Sequence, residues 1–383
     1  MMTVLHCTHS TLPSANYRDP GIFARELESI WYREWFCAGR ESDWPQTGDY
    51  RVVPIGDQGI VVLRDTSGRL RAFHNTCRHR GSVLCEHDQG RFGSARIVCP
   101  YHAWTYALDG SLQATPRRVP TADFDPGAYS LYRVSLDCWG GFVFINLAAE
   151  PALALPQALG EDAVALRSWP LATMQLAHRE THRIACNWKV FWENFLECYH
   201  CPGVHPELCK LVPVYGMGLL GLDEDPGYRP SPDTPSAARV APGKQSWSSD
   251  GQMVLPPLAG VDPVMIEDGM RFAVALPSMF VVAHRDHVRS VRLRPLGPEE
   301  SELCVGWLVG AEVEPSTIDC ARLTEFGRRV ITQDARVCEL VQRGLRCRTH
   351  LAGVLVGQEY DVLAFDRWVL ERLQDVGPEQ AAG

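Results

Sequence analysis

Two short cysteine–histidine pairs constrain this chain more than anything else in it. They are Cys77-Arg78-His79 and, after nineteen intervening residues, Cys99-Pro100-Tyr101-His102. Each pair supplies one thiolate and one imidazole, so two loops can deliver four metal ligands to one place. That donor set suits a Rieske [2Fe-2S] centre, where two cysteines hold one iron, two histidines hold the other, and the potential rises as a result. A structural zinc site uses the same four ligand types. Zinc sites more often pair Cys with Cys and then His with His along the chain. Here each arm mixes the two, which favours a two-iron cluster gripped by two loops.

The flanking residues extend the pattern: Arg80-Gly81 on one arm, Ala103-Trp104-Thr105-Tyr106 and the turn Asp109-Gly110 on the other. This stretch resembles the Rieske domain of the Rieske non-haem iron oxygenases, the α subunits of ring-hydroxylating oxygenases and N-demethylases. It departs from that family at two points. Ala103 stands where the family usually has Gly between the last ligand and the Trp. The insert between His79 and Cys99 is slightly long and contains Cys85, Gly90 and Gly93.

A chain of 383 residues exceeds one small core and suggests two domains. With 45% apolar and 22% charged residues it has the composition of an ordinary globular protein. A formal charge of −9 without a basic cluster excludes nucleic acid as the partner. No apolar run reaches the ~18 residues of a membrane span. Met1 to Arg18 lacks the charged-then-apolar pattern of a signal peptide. The fourteen cysteines are spread widely without a leader, so reduced thiols and a cytoplasmic setting are expected.

Residues 21–36 carry apolar side chains at helical spacing. From Tyr50 to Asn146 the pattern turns to short strands, Arg51–Ile55, Gly59–Leu63, Leu70–His74, Ala95–Val98 and Gly141–Asn146, separated by turn signals such as Asp65-Thr66-Ser67-Gly68. Residues 149–162 read as a linker or short surface helices. A long helix through Asn187–His200 follows, then a loop-rich region from Pro202 to Pro263. Strands are expected near Arg271–Ala275, Met279–Ala283, Val288–Arg294 and Leu303–Val309, and helices from Thr317 to Leu373. The Ala-Ala-Gly tail is expected to be disordered. Gly216-x-Gly218-x-x-Gly221 spells a dinucleotide fingerprint, but Leu-Asp-Glu-Asp-Pro-Gly after it cannot open the helix that would receive a pyrophosphate; it reads as a loop.

A second ligand constellation lies in Glu193-Asn194-Phe-Leu-Glu197-Cys-Tyr-His200-Cys-Pro-Gly-Val-His205. On one helix, Glu197 and His200 would share a face. The Pro202-Gly203 step would end or kink that helix and return His205 toward His200. Either histidine alone would be an ordinary hydrogen-bonded core residue. The pair, with Glu193 and Glu197 on an otherwise aromatic helix, favours a metal. Cys198, Cys201 and Cys209 read as core packing rather than as thiolate ligands. The third ligand comes from periodicity. Leu323, Phe326, Val330, Val337, Cys338, Val341 and Leu345 fall at helical offsets from Asp334, which puts that carboxylate in an apolar stripe. There it would protonate or need a cation. A buried Arg (Arg289, Arg292 or Arg336) could serve, but two histidines and a carboxylate also form the facial triad that leaves positions on non-haem Fe(II) open for O2.

The runs Asn187-Trp-Lys, Glu193-Asn194, Glu197-Cys-Tyr-His-Cys-Pro, His205-Pro-Glu-Leu and the 333–344 segment carry the same family resemblance across nearly the whole chain. It implies an α+β fold: an all-β Rieske domain, 41–148, inserted into a helix-grip (START-like) catalytic domain made of residues 1–40 and 149–383. It implies Cys77, His79, Cys99 and His102 on the cluster, and His200, His205 and Asp334 on mononuclear iron. Glu197, with Asn194 nearby, would be the electron-transfer bridge between subunits. A Glu at that position is similar to the branch acting on betaines and carnitine. The expected protein is the terminal oxygenase of a small substrate and O2. Electrons from NAD(P)H would arrive through a separate flavin/ferredoxin-type reductase, and the assembly would be a homotrimer. A quaternary ammonium substrate would want an aromatic cage, for which Trp192, Tyr199, Trp247, Phe272 and Phe280 are candidates. Hydroxylation of an aromatic acid is the alternative; a non-catalytic Rieske electron carrier would not need the 200/205/334 set.

Overall fold

The computed structural model describes residues 4–225, 227–229, 237–262 and 269–374. The C-terminal tail expected to be disordered lies outside them, as does part of the loop-rich region. Packing divides the chain into two units, Trp31–Ala158 and a second built from Met1–Ile30 with Leu159–Gly383.

Helix α1 covers Pro20–Glu26, and its N-cap Asp19 accepts from the amides of Gly21 and Ile22 at 2.7 and 3.1 Å. The helical spacing read through residue 36 stops earlier. A wider turn covers Leu27–Trp31, and strand β1, Phe36–Arg40, follows. Aromatic and small residues there pack equally well on a pleated surface, and pairing with a later strand decides the outcome.

The Trp31–Ala158 unit is all β. Strands β2 (Asp49–Ile55), β3 (Gln58–Arg64), β4 (Leu70–His74) and β5 (Gln89–Arg91) are followed by β6 (Arg96–Val98), β7 (Thr105–Ala107) and β8 (Leu112–Ala114). Strands β9 (Arg133–Trp139) and β10 (Phe142–Asn146) complete it. Seven strands form one antiparallel sheet in the order β1-β10-β9-β4-β3-β2-β5, and β6-β7-β8 form a second. Ile60 to Leu63 of β3 and Phe142 to Ile145 of β10 are fully buried β-formers. The predicted turn after β3 is held by the Asp65 carboxylate. It accepts from the amides of Ser67 and Arg69 at 2.8 and 3.0 Å and pairs with Arg71 at 2.8 Å. The core here includes Phe73, Ile97, Trp104, Tyr106 and Leu108, and also the thiols of Cys77 and Cys99.

A helical segment, α2, occupies Leu155–Ala165 and is kinked at Gly160, where φ is +51°. The other unit is built on a five-stranded antiparallel sheet in the order β11-β15-β14-β13-β12. Its strands are β11 (Gln175–Ile184), β12 (Met270–Ala275), β13 (Met279–His284), β14 (Val288–Gly297) and β15 (Glu300–Val309). The helices are α3 (Trp188–Phe195), α4 (Cys201–Val204), α5 (Pro206–Leu211), the 25-residue α6 (Cys320–Gly344) and α7 (Tyr360–Gln374). Helix α6 packs on α3 and β11. It buries Leu323, Phe326, Val330, Ile331 and Cys338 but leaves Val341 exposed. The loop reading of Gly216–Gly221 matches the structure: a short 3-10 turn over Pro213–Met217 ends at Gly218, in the left-handed region at φ +76°, and Gly221 leads into the three-residue 3-10 turn Leu222–Glu224.

The expected long helix 187–200 is broken. α3 ends at Phe195, residues 197–199 leave the helix, and His200 caps the short α4. Glu197 and His200 therefore do not share a helix face. Pro202 sits in the first turn of α4 rather than ending a helix, as suits proline there. A Cys198–Cys201 disulfide spans the break, which corrects the expectation of reduced thiols at these two positions.

Lys189 of α3 is fully buried, with its ammonium 2.5 Å from Glu26 of α1 and 2.9 Å from Asn187 Oδ1. Glu26 also accepts from Trp188 Nε1 at 2.8 Å. Removing one member of such a pair strands the other charge. Lys189→Ala is expected to cost about 3–5 kcal/mol in denaturant unfolding; a loss below about 1 kcal/mol would mean that Glu26 needs no partner.

Candidate active site

The two ligand arms of the all-β unit sit at the tips of different loops. The first follows β4. There Asn75 clamps the loop: its Oδ1 accepts from the amides of Leu84 and Cys85 at 3.1 and 2.9 Å, and its Nδ2 donates to Cys85 O at 2.9 Å. The second is the tip between β6 and β7, where the Cys99 amide donates to Trp104 O at 2.8 Å. The two thiols are buried and the two imidazoles exposed. His79 Nδ1 and His102 Nδ1 face each other at 3.1 Å, and the His79 ring stacks on Trp104 with centroids 4.9 Å apart. Cys77 Sγ lies 3.2 Å from the Tyr106 hydroxyl. Burial raises the Cys77 pKa while that hydrogen bond lowers it; burial, then His102 and Arg80, lowers the pKa of His79. Two thiols on the inside and two imidazole nitrogens converging outside them fit a cluster with one sulfur-ligated and one nitrogen-ligated iron. Tyr106 belongs to the flanking segment noted in the sequence, though without a role; Asn75 was not singled out, and only its nearness to the motif hinted at it.

Ala103 occupies the left-handed region at φ +56°. This is the position where glycine was expected, and the tip needs that conformation to carry the chain from His102 into β7.

In the other unit the broken helix brings three candidate ligands together. His200 Nε2 and His205 Nε2 are 3.2 Å apart. Asp334 Oδ1 is 2.8 Å from His205 Nε2 and 3.5 Å from His200 Nε2, and one ligand atom from each residue lies within 4.8 Å of the other two. The opposite ring nitrogens are engaged. Glu197 Oε1 accepts from His200 Nδ1 at 2.6 Å, and Gln333 Oε1 accepts from His205 Nδ1 at 2.8 Å. Both rings thus offer Nε2 to the common centre, as metal-binding histidines require. Asn194 Nδ2 donates to Asp334 Oδ1 at 2.9 Å and orients the carboxylate. Gln333 was not foreseen as a partner; its signal was its place beside Asp334. His205 precedes Pro206, which disfavours helix at His205 and turns its ring inward at φ −121°.

Burial disfavours the charged form of His200, but hydrogen bonds to Asp334 and Glu197 outweigh it and raise its pKa to about 9. Burial also opposes ionisation of Asp334, and the two imidazoles reverse that, holding its pKa well below the usual range. Among the arginines considered as partners for Asp334, Arg289 acts on it electrostatically.

A cavity of about 370 Å³ opens on these three residues. Its walls include Phe191, Phe195, Tyr215, Trp247, Met270, Phe272, Phe280 and Val330, with Glu197, Arg271, Arg289 and Asp361 as charged members. Of the proposed cage, Trp247, Phe272 and Phe280 line the cavity. Trp192 does not: it is fully buried behind Phe280, donating to Pro277 O at 2.6 Å. Tyr199 does not either, being 56% exposed. The loop bearing Trp247 is pinned by the buried Asp286, which accepts from Ser246 Oγ at 2.5 Å and the amide of Val254 at 2.7 Å.

A two-loop Cys2His2 site in an all-β unit, with a 2-His-1-carboxylate site in a sheet-and-long-helix unit, defines an oxygenase in which a Rieske cluster serves a mononuclear iron. Residues 34–125 match the Rieske [2Fe-2S] domain family, and residues 171–375 the ring hydroxylating alpha subunit (catalytic domain) family. The chain is 31% identical to the glycine betaine monooxygenase oxygenase subunit of Pseudomonas aeruginosa (strain UCBPP-PA14), over 97% of this chain and 91% of that one. It is 29% identical to the chloroplastic choline monooxygenase of Spinacia oleracea, over 95% and 78%. Among solved structures it superimposes with a TM-score of 0.72 on the quaternary ammonium Rieske monooxygenase CntA in complex with gamma-butyrobetaine, at 25% identity and 96% coverage of each chain. The chain belongs to the Rieske non-haem iron oxygenases and is an oxygenase subunit of that family, which carries a [2Fe-2S] cluster and a mononuclear iron.

Strain at Ala103 has a direct test. Ala103→Gly is expected to stabilise the folded protein by up to about 1 kcal/mol in denaturant unfolding, with the visible spectrum of the cluster unchanged. A β-branched Ala103→Val should do the reverse. Destabilisation by glycine would show that the left-handed turn is not a cost.

Proposed function

We propose that this subunit binds a quaternary ammonium compound in the cavity and oxidises it with O2, by N-demethylation or C–H hydroxylation. The observation that carries the substrate class is the wall opposite in character to the metal ligands: aromatic rings from Phe195, Phe272 and Phe280 together with the Asp361 carboxylate. Burial, and then the nearby Asp162, raise the pKa of Asp361, and no side-chain cation among the described residues pairs with it. An ammonium group beside it would gain an ion pair and aromatic faces at once.

In this reading Cys77, His79, Cys99 and His102 hold the [2Fe-2S] cluster, and His200, His205 and Asp334 hold the iron. The cluster supplies single electrons and the iron supplies a site for O2. Glu197 and Gln333 fix the two imidazoles by their Nδ1 atoms, and Asn194 fixes the carboxylate. The apolar walls exclude bulk water from the reacting C–H bond. Glu197 is also the contact offered to a neighbouring subunit's cluster, which makes a homotrimer the working assembly. NAD(P)H acts through a separate flavin/ferredoxin-type reductase, and a cytoplasmic setting suits both. If an N-methyl group is the target, its hydroxylated product releases formaldehyde. The apolar walls would also admit an aromatic acid.

The test is turnover by the iron-replete protein with a ferredoxin-type reductase and NADH. Glycine betaine, γ-butyrobetaine, carnitine and choline are set against aromatic acids, and oxygen and formaldehyde are read together. Oxygen uptake coupled to oxidation of one ammonium compound is expected; turnover with aromatic acids alone would overturn the ammonium reading. Asp334→Ala should lose the mononuclear iron and turnover while the cluster spectrum and sulfide content stay unchanged. Asn194→Ala should weaken iron binding or turnover by roughly 10–100-fold. Full activity in either variant would remove that residue from the site.

A further inference from the structure

The cavity contains a cation that feels the Asp334 charge but makes no ion pair with the metal site. Arg289 of β14 is only 4% exposed and lines the cavity wall. Its guanidinium lies over the Trp247 ring, 5.5 Å from the centroid, and Nη1 donates to Gly327 O at 3.3 Å. Its Nε has no hydrogen-bond partner, and among the described residues no carboxylate is within ion-pair distance of it. Burial lowers its pKa to about 10, against the pull of Asp334, so the group remains charged at neutral pH. A buried charge without a counter-ion is costly, and folded proteins rarely keep one without a use.

The fold makes room for it. Gly327 lies inside helix α6, where glycine is unfavourable. A Cβ there would sit 3.0 Å from Arg289 Nη1 and 3.1 Å from its Cδ. The helix therefore gives up a side chain at the one point where the guanidinium passes it. Trp247 holds the guanidinium from another side, which also means that this face of Trp247 is not available to a substrate ammonium. A second guanidinium, Arg271, lines the same cavity. The cavity also carries the carboxylates Glu197 and Asp361, so both ends of a zwitterion would meet an opposite charge, whereas an ammonium compound with no carboxylate would leave Arg289 without its anion.

We propose that Arg289 is the carboxylate anchor of the substrate site, so that the cavity selects zwitterionic ammonium carboxylates, or betaines, over ammonium cations that lack a carboxylate, such as choline. The inference rests on the ammonium reading above for the other end of the substrate. It adds a specificity residue and a charge requirement to that reading.

The test is equilibrium binding to the intact, iron-replete protein under anaerobic conditions, followed by tryptophan fluorescence and thermal shift, with no turnover required. The ligands are glycine betaine and γ-butyrobetaine, the methyl ester of each, choline, and benzoate. One betaine is expected to bind wild type about 10–100-fold more tightly than its ester, the range for a charge-assisted contact. Arg289→Met should abolish that difference by weakening the betaine alone, and Arg289→Lys should restore part of it. Gly327→Ala, which displaces the guanidinium without deleting it, should weaken the betaine in the same selective way. Removing an unpaired buried charge should leave the melting temperature of ligand-free Arg289→Met at or above that of wild type, which separates a binding role from a folding one. Equal binding of betaine and ester by wild type, or equal loss of both in Arg289→Met, would overturn the proposal. Binding of benzoate but no betaine, lost in Arg289→Met, would keep the anchor and sink the ammonium reading; binding of no carboxylate would sink the anchor.

Discussion

A carboxylate in the middle of a helix's apolar face needs a positive partner, and the sheet-and-helix unit is arranged around providing one. Asp334 is held by His205 Nε2 at 2.8 Å and by Asn194 at 2.9 Å, with His200 close behind. The histidines are in turn oriented by Glu197 and Gln333. The break between α3 and α4 follows from the same demand. A continuous helix would separate His200 and His205 around its circumference; two short helices with Pro202 and Pro206 in their first turns direct both rings toward one point. Those features also form the floor of the cavity, so metal geometry and substrate access share one set of backbone constraints.

The all-β unit solves a simpler problem with local means. Each arm is a tight loop fixed by its own backbone hydrogen bonds, and the buried thiols count as part of the hydrophobic core. The exposed imidazoles leave one edge of the site open toward solvent, as an electron-transfer centre requires. Ala103 shows the limit of tolerance: the turn survives without glycine at a modest conformational cost.

Much of this was legible in the sequence, because both sites are written in short spacings. The CxH and CxxH pairs, the His200–His205 spacing and the helical offsets around Asp334 are local signals; the residues they named come together, although Val341 of the Asp334 stripe is exposed and the helix before His200 breaks. Strands Leu70–His74 and Met279–His284 were similarly plain from their composition and turns. What was not legible depends on partners distant in the chain. The helix read through residue 36 yields to β1 because β10, a hundred residues later, pairs with it. The 187–200 helix breaks where His200 and His205 turn toward Asp334, on a helix far along the chain. Trp192 and Tyr199 sit next to the metal motif, yet one packs behind the cavity wall and the other faces outward. Sequence proximity could not separate them from Trp247 and Phe280. Arg289 was visible only as a possible partner for Asp334; that it sits on Trp247 and faces the cavity required the fold of β14 against α6.

The central claim is that one chain carries two iron centres at named residues, and anomalous X-ray scattering from crystals of the anaerobically purified protein tests it most directly. Data on both sides of the iron edge should show one peak between Cys77, His79, Cys99 and His102, and a second between His200, His205 and Asp334. A signal at the zinc edge in either place, or iron elsewhere than at these residues, would contradict the account.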